Sequence, residues 1–242
     1  MKKILLTIGL IAATSAAFAQ GYINFAPGTS SWVSTNATSY SSLFGGGSTG
    51  GGTIGFTAGT ANGFYYELLM QHWTGTTPTD LNVWDGTWKD TGLKDTNSTV
   101  SVGRIFGGPT GLNVGGLVGW NNTPIGTPGT FPAGTNYIIL VGWSASLGTS
   151  WLDVSNACVV AAANPSHYFT TPGFFGITGI GWENPNLGAP GIAVLGAGAN
   201  AGGQPIVIAN GLTLFEVPVP EPATFALVGL GGLSLLLFRR RK

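Results

Sequence analysis

The last 25 residues constrain this chain more than any other stretch, because they impose a membrane contact on whatever precedes them. Residues 218–242 read in three parts: Pro220-Glu221-Pro222, an apolar run at 223–238, and the cluster Arg239-Arg240-Arg241-Lys242. A helix built on the run rises ~1.5 Å per residue and reaches roughly 24 Å. That is short of the ~30 Å hydrocarbon core, but long basic side chains snorkel to the interface and make up the difference. The basic cluster has no acid beside it. It is therefore expected to stay on the cytoplasmic side and act as a membrane stop.

The front end makes a matching statement. Lys2 and Lys3 form a positive region, residues 4–13 are apolar, and Ala17-Phe18-Ala19 is a small-x-small site. The pattern predicts a signal peptide over 1–19, cut between Ala19 and Gln20. An uncleaved anchor would call for a longer apolar region. The expected organisation is thus a signal peptide (1–19), an extracytoplasmic domain (20–217) and a C-terminal targeting tail (218–242).

The tail resembles a known family. Val217-Pro218-Val219-Pro220-Glu221-Pro222-Ala223, followed by an apolar helix and Arg239-Arg240-Arg241-Lys242, is similar to the PEP-CTERM sorting signal. The resemblance implies recognition at Pro220, Glu221 and Pro222 by an exosortase, a membrane-embedded cysteine protease or transpeptidase. It also implies removal of the helix, then release or attachment at the cell surface. Physics fits the motif. Two prolines hold the backbone extended, which presents it to a protease and keeps it out of the following helix. Glu221 is the one charge on the outer side of the membrane boundary. The expected route is export, anchoring in the inner membrane as a precursor, then the cell surface or the extracellular space. Signal peptidase and exosortase are its processing partners.

Setting aside the six cations of the two ends, three cations (Lys89, Lys94, Arg104) face nine acids, Glu221 among them, a net charge of −6. A nucleic-acid partner would need a basic stripe, and none exists. An acidic polysaccharide would be weakly repelled. Cys158 is the single cysteine, so no intramolecular disulfide forms. In Ala157-Cys158-Val159-Val160 it reads as a small buried hydrophobe on a strand. A nucleophile would want His72 or His167 beside it.

Along the domain, strands recur between turn signals. Residues 63–73 and 136–144 carry the strongest patterns. The second is a near-continuous apolar run, as expected of a strand buried on both faces. Further strands are expected at 21–25, 53–58, 99–106, 111–120, within 168–182, at 205–209 and at 212–217. Residues 41–52 read as a mobile loop, 188–203 as a loop, and 78–97 as a polar connection. Residues 151–160 fit either a strand or a short helix. The pattern predicts an all-β fold, a β-sandwich of jelly-roll type. The order of these strands also resembles single-domain PEP-CTERM proteins of unassigned function.

Nothing in the sequence assembles a catalytic motif. No Gly-x-Ser-x-Gly occurs, and two histidines without Cys-x-x-Cys make no zinc site. Asp80, Asp85, Asp90 and Asp95 recur every five residues, which does not match a calcium loop. Glu67 and Glu183 would serve a glycosidase only at about 5–10 Å separation. Trp84, Trp88 and Trp151 sit beside polar turns and are the candidates for stacking on sugar rings; the alternative is that they plug the core. The expectation is a non-enzymatic surface or extracellular-matrix protein associated with exopolysaccharide or biofilm, with no cofactor and no metal. A carbohydrate-binding module is the alternative, and a polymer hydrolase the third.

Overall fold

A computed structural model describes residues 20–24, 33–49, 51–57, 60–72, 74, 76–105, 117–119, 136–183, 192–193, 208 and 211–220. The expected signal peptide, the apolar run at 223–238, Glu221, Pro222 and the basic cluster lie outside the described residues. So do most of the expected strands at 111–120 and 205–209.

The fold is mostly β-sheet with one helix. Strand β7 (Asn136–Ser144) lies at its centre, because its sequence has no polar face to show to water. Ile138 and Leu140 point to one side, and Tyr137, Ile139, Val141 and Trp143 to the other; all are buried. Strand β4 (Phe64–His72) pairs antiparallel with β7 over nine positions, from Phe64 opposite Ser144 to His72 opposite Asn136. On its other flank β7 pairs with β8 (Phe174–Ile177) and β9 (Gly181–Glu183). Strand β11 (Leu212–Glu216) joins β8, then β2 (Val33–Tyr40) and β3 (Ile54–Phe56) complete that side. Strand β5 (Lys89–Thr96) forms the opposite edge beside β4. A second sheet has the order β10 (Ile192–Ala193), β1 (Gln20–Asn24), β6 (Leu117–Gly119). The pairs β2–β11 and β1–β10 are parallel, unlike the antiparallel ladders of a jelly roll.

Strand β2 and the short β10, which lies inside the expected loop 188–203, are not among the expected strands, and the structure departs from the sequence reading in four further places. Residues 151–160 belong to helix α1 (Trp151–Ala163), so Cys158 sits on a helix and not on a strand. Ser150 caps the helix. Its hydroxyl accepts the Asp153 N–H at 3.3 Å and donates to the Asp153 carboxylate at 2.6 Å. Trp151, Val154, Cys158 and Ala161 recur at helical spacing and face the sheet. Within the polar connection 78–97, residues 89–96 are strand β5. Its charges suit an exposed edge, where they discourage pairing with a second chain. Gly92, at φ +68°, accompanies a register shift opposite Glu67 and Leu69, a bulge that a glycine admits. Residues 99–105 form turns with one bridge, Asn97 to Ile105, instead of a strand.

The fourth departure is the Gly-Ser stretch at 41–52, which is anchored. A 3-10 turn at Ser42–Phe44 buries Phe44 against Trp84, Phe169 and Phe175, with ring centroids 5.2, 4.7 and 5.9 Å away. Among the described residues, no helix is long and apolar enough to cross a membrane.

Candidate functional site

Strand β11 delivers the chain to its tail. Leu212 and Leu214 are buried in the face of the sheet that carries Tyr66, Leu68 and Leu140. Beyond Glu216 the strand ends, yet the next three residues stay against the domain. Val217 is fully buried, and its N–H donates to the Gly173 carbonyl at 2.9 Å. The Pro218 carbonyl accepts the Phe169 N–H at 2.7 Å, and Pro218 itself is buried. Val219 packs against the cluster under α1. Pro220 is exposed. Prolines at 218 and 220 carry no N–H, so this irregular edge leaves no donor orphaned at either position.

The tail is therefore held by the domain through Val219, and Pro220 is exposed. Residues 218–242 match the family described as PEP-CTERM protein-sorting motif.

The chain ends in a PEP-CTERM sorting motif.

This motif is the exosortase-substrate signal, and it marks an exported protein that is anchored transiently in the membrane and processed by exosortase. The PEP-CTERM match covers only the tail, and no curated protein and no solved structure matches the chain. The docking of Val217 and Val219 is a feature that the motif alone did not reveal. Its signal was available: valines two apart continue the strand period past Glu216.

The other candidates fall in separate places. Trp88 and Trp151 are 3 % and 6 % exposed, so neither presents a ring to a sugar, contrary to that expectation for them. Both belong to the cluster between sheet and helix, where Trp151 stacks on Phe175 and lies 6.0 Å from Trp143. Trp84 is half-buried and stacks on Phe44.

Glu67 lies on β4 opposite Val141, and Glu183 on β9 opposite Asn136. Five positions along β7 and two strand spacings across it separate their backbones by about 19 Å. Two carboxylate side chains do not close that gap to glycosidase range. Glu67 has another partner. It is buried, and its pKa is pushed up to about 9, first by burial and then by the hydrogen bond and charge of Asp90; Lys94 opposes the shift. The Lys94 ammonium caps the Thr149 carbonyl at 2.8 Å and lies 5.5 Å over the Tyr65 ring.

The regularly spaced aspartates are turn formers. Asp80 accepts the Asn82 N–H, Asp85 the Thr87 N–H and hydroxyl, and Asp90 the Gly92 N–H. Asp95 is buried and accepts the Thr96 N–H; burial pushes its pKa up to about 6. Cys158 lies fully buried among apolar groups, and that burial raises its thiol pKa. A nucleophile needs the opposite shift.

Proposed function

We propose that this protein is a non-enzymatic surface or extracellular-matrix component, delivered by its sorting tail and serving in the exopolysaccharide or biofilm layer. In this reading the signal peptide is removed before Gln20 by signal peptidase. Residues 223–238 span the inner membrane as a helix until exosortase acts near Pro220-Glu221-Pro222. The observation that carries the proposal is the exposure of Pro220 immediately after a docked segment. The recognition tripeptide thus begins at a residue that a protease can reach.

Placement of the polar groups supports a structural role for the domain. Asp80, Asp85 and Asp90 accept backbone N–H groups two residues on, Glu67 is buried beside the half-exposed Asp90, and the thiol is sealed in the core. At its centre the large sheet is buried on both faces, one of them beneath α1, as a layered sandwich requires. A carbohydrate-binding role would rest on Trp84, the least buried of the three candidate tryptophans.

The mature C-terminus tests the proposal. Intact mass of the surface form is expected to lack Arg239 through Lys242, and Glu221→Ala is expected to leave the uncut chain in the inner membrane. A surface form that retains its terminal arginines, or normal trimming of the Glu221→Ala chain, overturns it.

A further inference from the structure

Helix α1 is apolar on both sides. Its inner side packs on the sheet, yet Leu152, Val159 and Val160 on the outer side are 68 %, 46 % and 59 % exposed. Its one charge is Asp153, held in the first turn by Ser150. Asp153 and Asn156 are exposed on this side too, but three large apolar side chains open to water on one helix make a patch that calls for a covering surface. Beside it Val160 and Asn156 line a shallow notch of about 200 Å³ together with Tyr168 and Phe169, and Tyr168 is itself 37 % exposed.

The position of this patch decides what covers it. The Phe169 N–H binds the Pro218 carbonyl, so the notch adjoins the point where the chain leaves the domain. The apolar run begins at Ala223, three residues beyond Pro220. Three extended residues span at most about 10–11 Å. The headgroup layer of one leaflet is itself roughly 5–8 Å thick. With the tail inserted, the exit end of the domain is pressed against the lipid surface.

We propose that the outer side of α1, with the notch beside it, is a lipid-contact surface that seats the domain on the outer leaflet until the tail is cut. The inference rests on the tail being membrane-inserted, as the sorting reading requires. Leu152 and Val160 are two turns apart on one stripe and enter the headgroup zone together; Tyr168 places an amphipathic ring at the same level. Once the tail is removed, nothing ties this side to the bilayer. A few apolar side chains hold a domain at a membrane only while a second anchor adds to them.

The test uses the full chain reconstituted in vesicles of phosphatidylethanolamine and phosphatidylglycerol containing spin-labelled phosphatidylcholine. A polarity-sensitive dye is placed on Val160→Cys or Leu152→Cys. The control is Val100→Cys, on a loop bonded to Val33 at the opposite end of the sheet from the exit. Native Cys158 is sealed and contributes no label; the unsubstituted chain checks this. The expected result is a blue shift and lipid quenching at both helix positions, and neither at Val100→Cys. Carbonate extraction run in parallel tests tail insertion. An aqueous-like dye on a carbonate-resistant chain overturns the lipid contact alone. A carbonate-extractable chain overturns the sorting reading and the inference with it. Protection that appears only when exosortase is added assigns the surface to the protease and also overturns the proposal.

Discussion

The two faces of the large sheet are built differently. One is lined by strand side chains, Tyr66, Leu68, Met70, Ile138, Leu140, Leu212 and Leu214, joined by Val33, Ile105 and Ile208. The other lies under helix α1 and the Phe44 turn, and it takes in the thiol of Cys158 and the docked base of the tail. Glu67 points to this same side, in step with Tyr65 and Leu69 along β4. The first face does one thing, which is to exclude water. The second also sets the exit of the sorting tail and houses a carboxyl that burial keeps protonated. Stability is shared between the faces, whereas the properties tied to sorting belong to the helix side.

The sharpest way to break this comparison is to open a cavity on each face in turn. Leu140→Ala and Trp151→Ala each remove a large buried side chain and are expected to cost about 3–5 kcal/mol. Denaturant melts measure that loss. Only Trp151→Ala is expected to loosen Val217 and Val219, seen as faster proteolysis next to Pro220 well below the melting temperature. Equal exposure in Leu140→Ala would erase the distinction between the faces.

A smaller effect comes from Glu67. Its folded pKa, about 9, lies above the ordinary value of 4.5. The fold therefore takes up a proton between these values, and stability falls as pH rises through that window. The slope is at most about 1.4 kcal/mol per pH unit. Asp95 adds a similar fall between 3.8 and about 6. Comparing Glu67→Gln with the parent chain from pH 6 to 9 isolates Glu67. The variant is expected to be the more stable at pH 8, with the flatter slope. Parallel melting curves for the two proteins would show that this carboxyl is not held protonated.

Smallest of all is the contrast within α1. Val154→Ser, on the side packed against the sheet, is expected to cost about 2 kcal/mol by removing apolar contact and burying a hydroxyl. Val160→Ser, on the open side, is expected to stay within about 0.5 kcal/mol of the parent in detergent-free melts of the tail-cleaved protein. A large loss at Val160 would mean that the open side is already covered within the domain.

Much of the centre was legible in the sequence. The apolar run of β7 and the aromatic run of β4 have their expected bounds to within a residue, because a strand without a polar face has few places to go. The end of the domain at β11 was equally readable. Strand β5 was not, since an edge strand carries the charged composition of a loop and shows its nature only when paired. Helix α1 was ambiguous because its outer side carries several apolar residues, which blurs the amphipathic period; Ser150-x-x-Asp153 is a cap signal that the sequence reading left unused. Phe44 was hidden inside a glycine-serine stretch whose composition speaks for solvent. Trp88 and Trp151 lie beside polar turns in sequence yet point inward, a direction that spacing does not encode.

The amino-acid order alone carries the sorting motif that marks this protein for export and for processing by exosortase. A sorting signal is contiguous, and each of its parts acts through local chemistry: proline geometry, apolar length and terminal charge. Only the tertiary structure decided that the signal starts inside the folded domain, that Val217 is a core residue with Val219 packed against the same cluster, and that an apolar helix side lies beside the exit. Those facts join Phe169 to Pro218 and α1 to β8, contacts between segments remote in the chain, and burial at such contacts is a property of the packed whole.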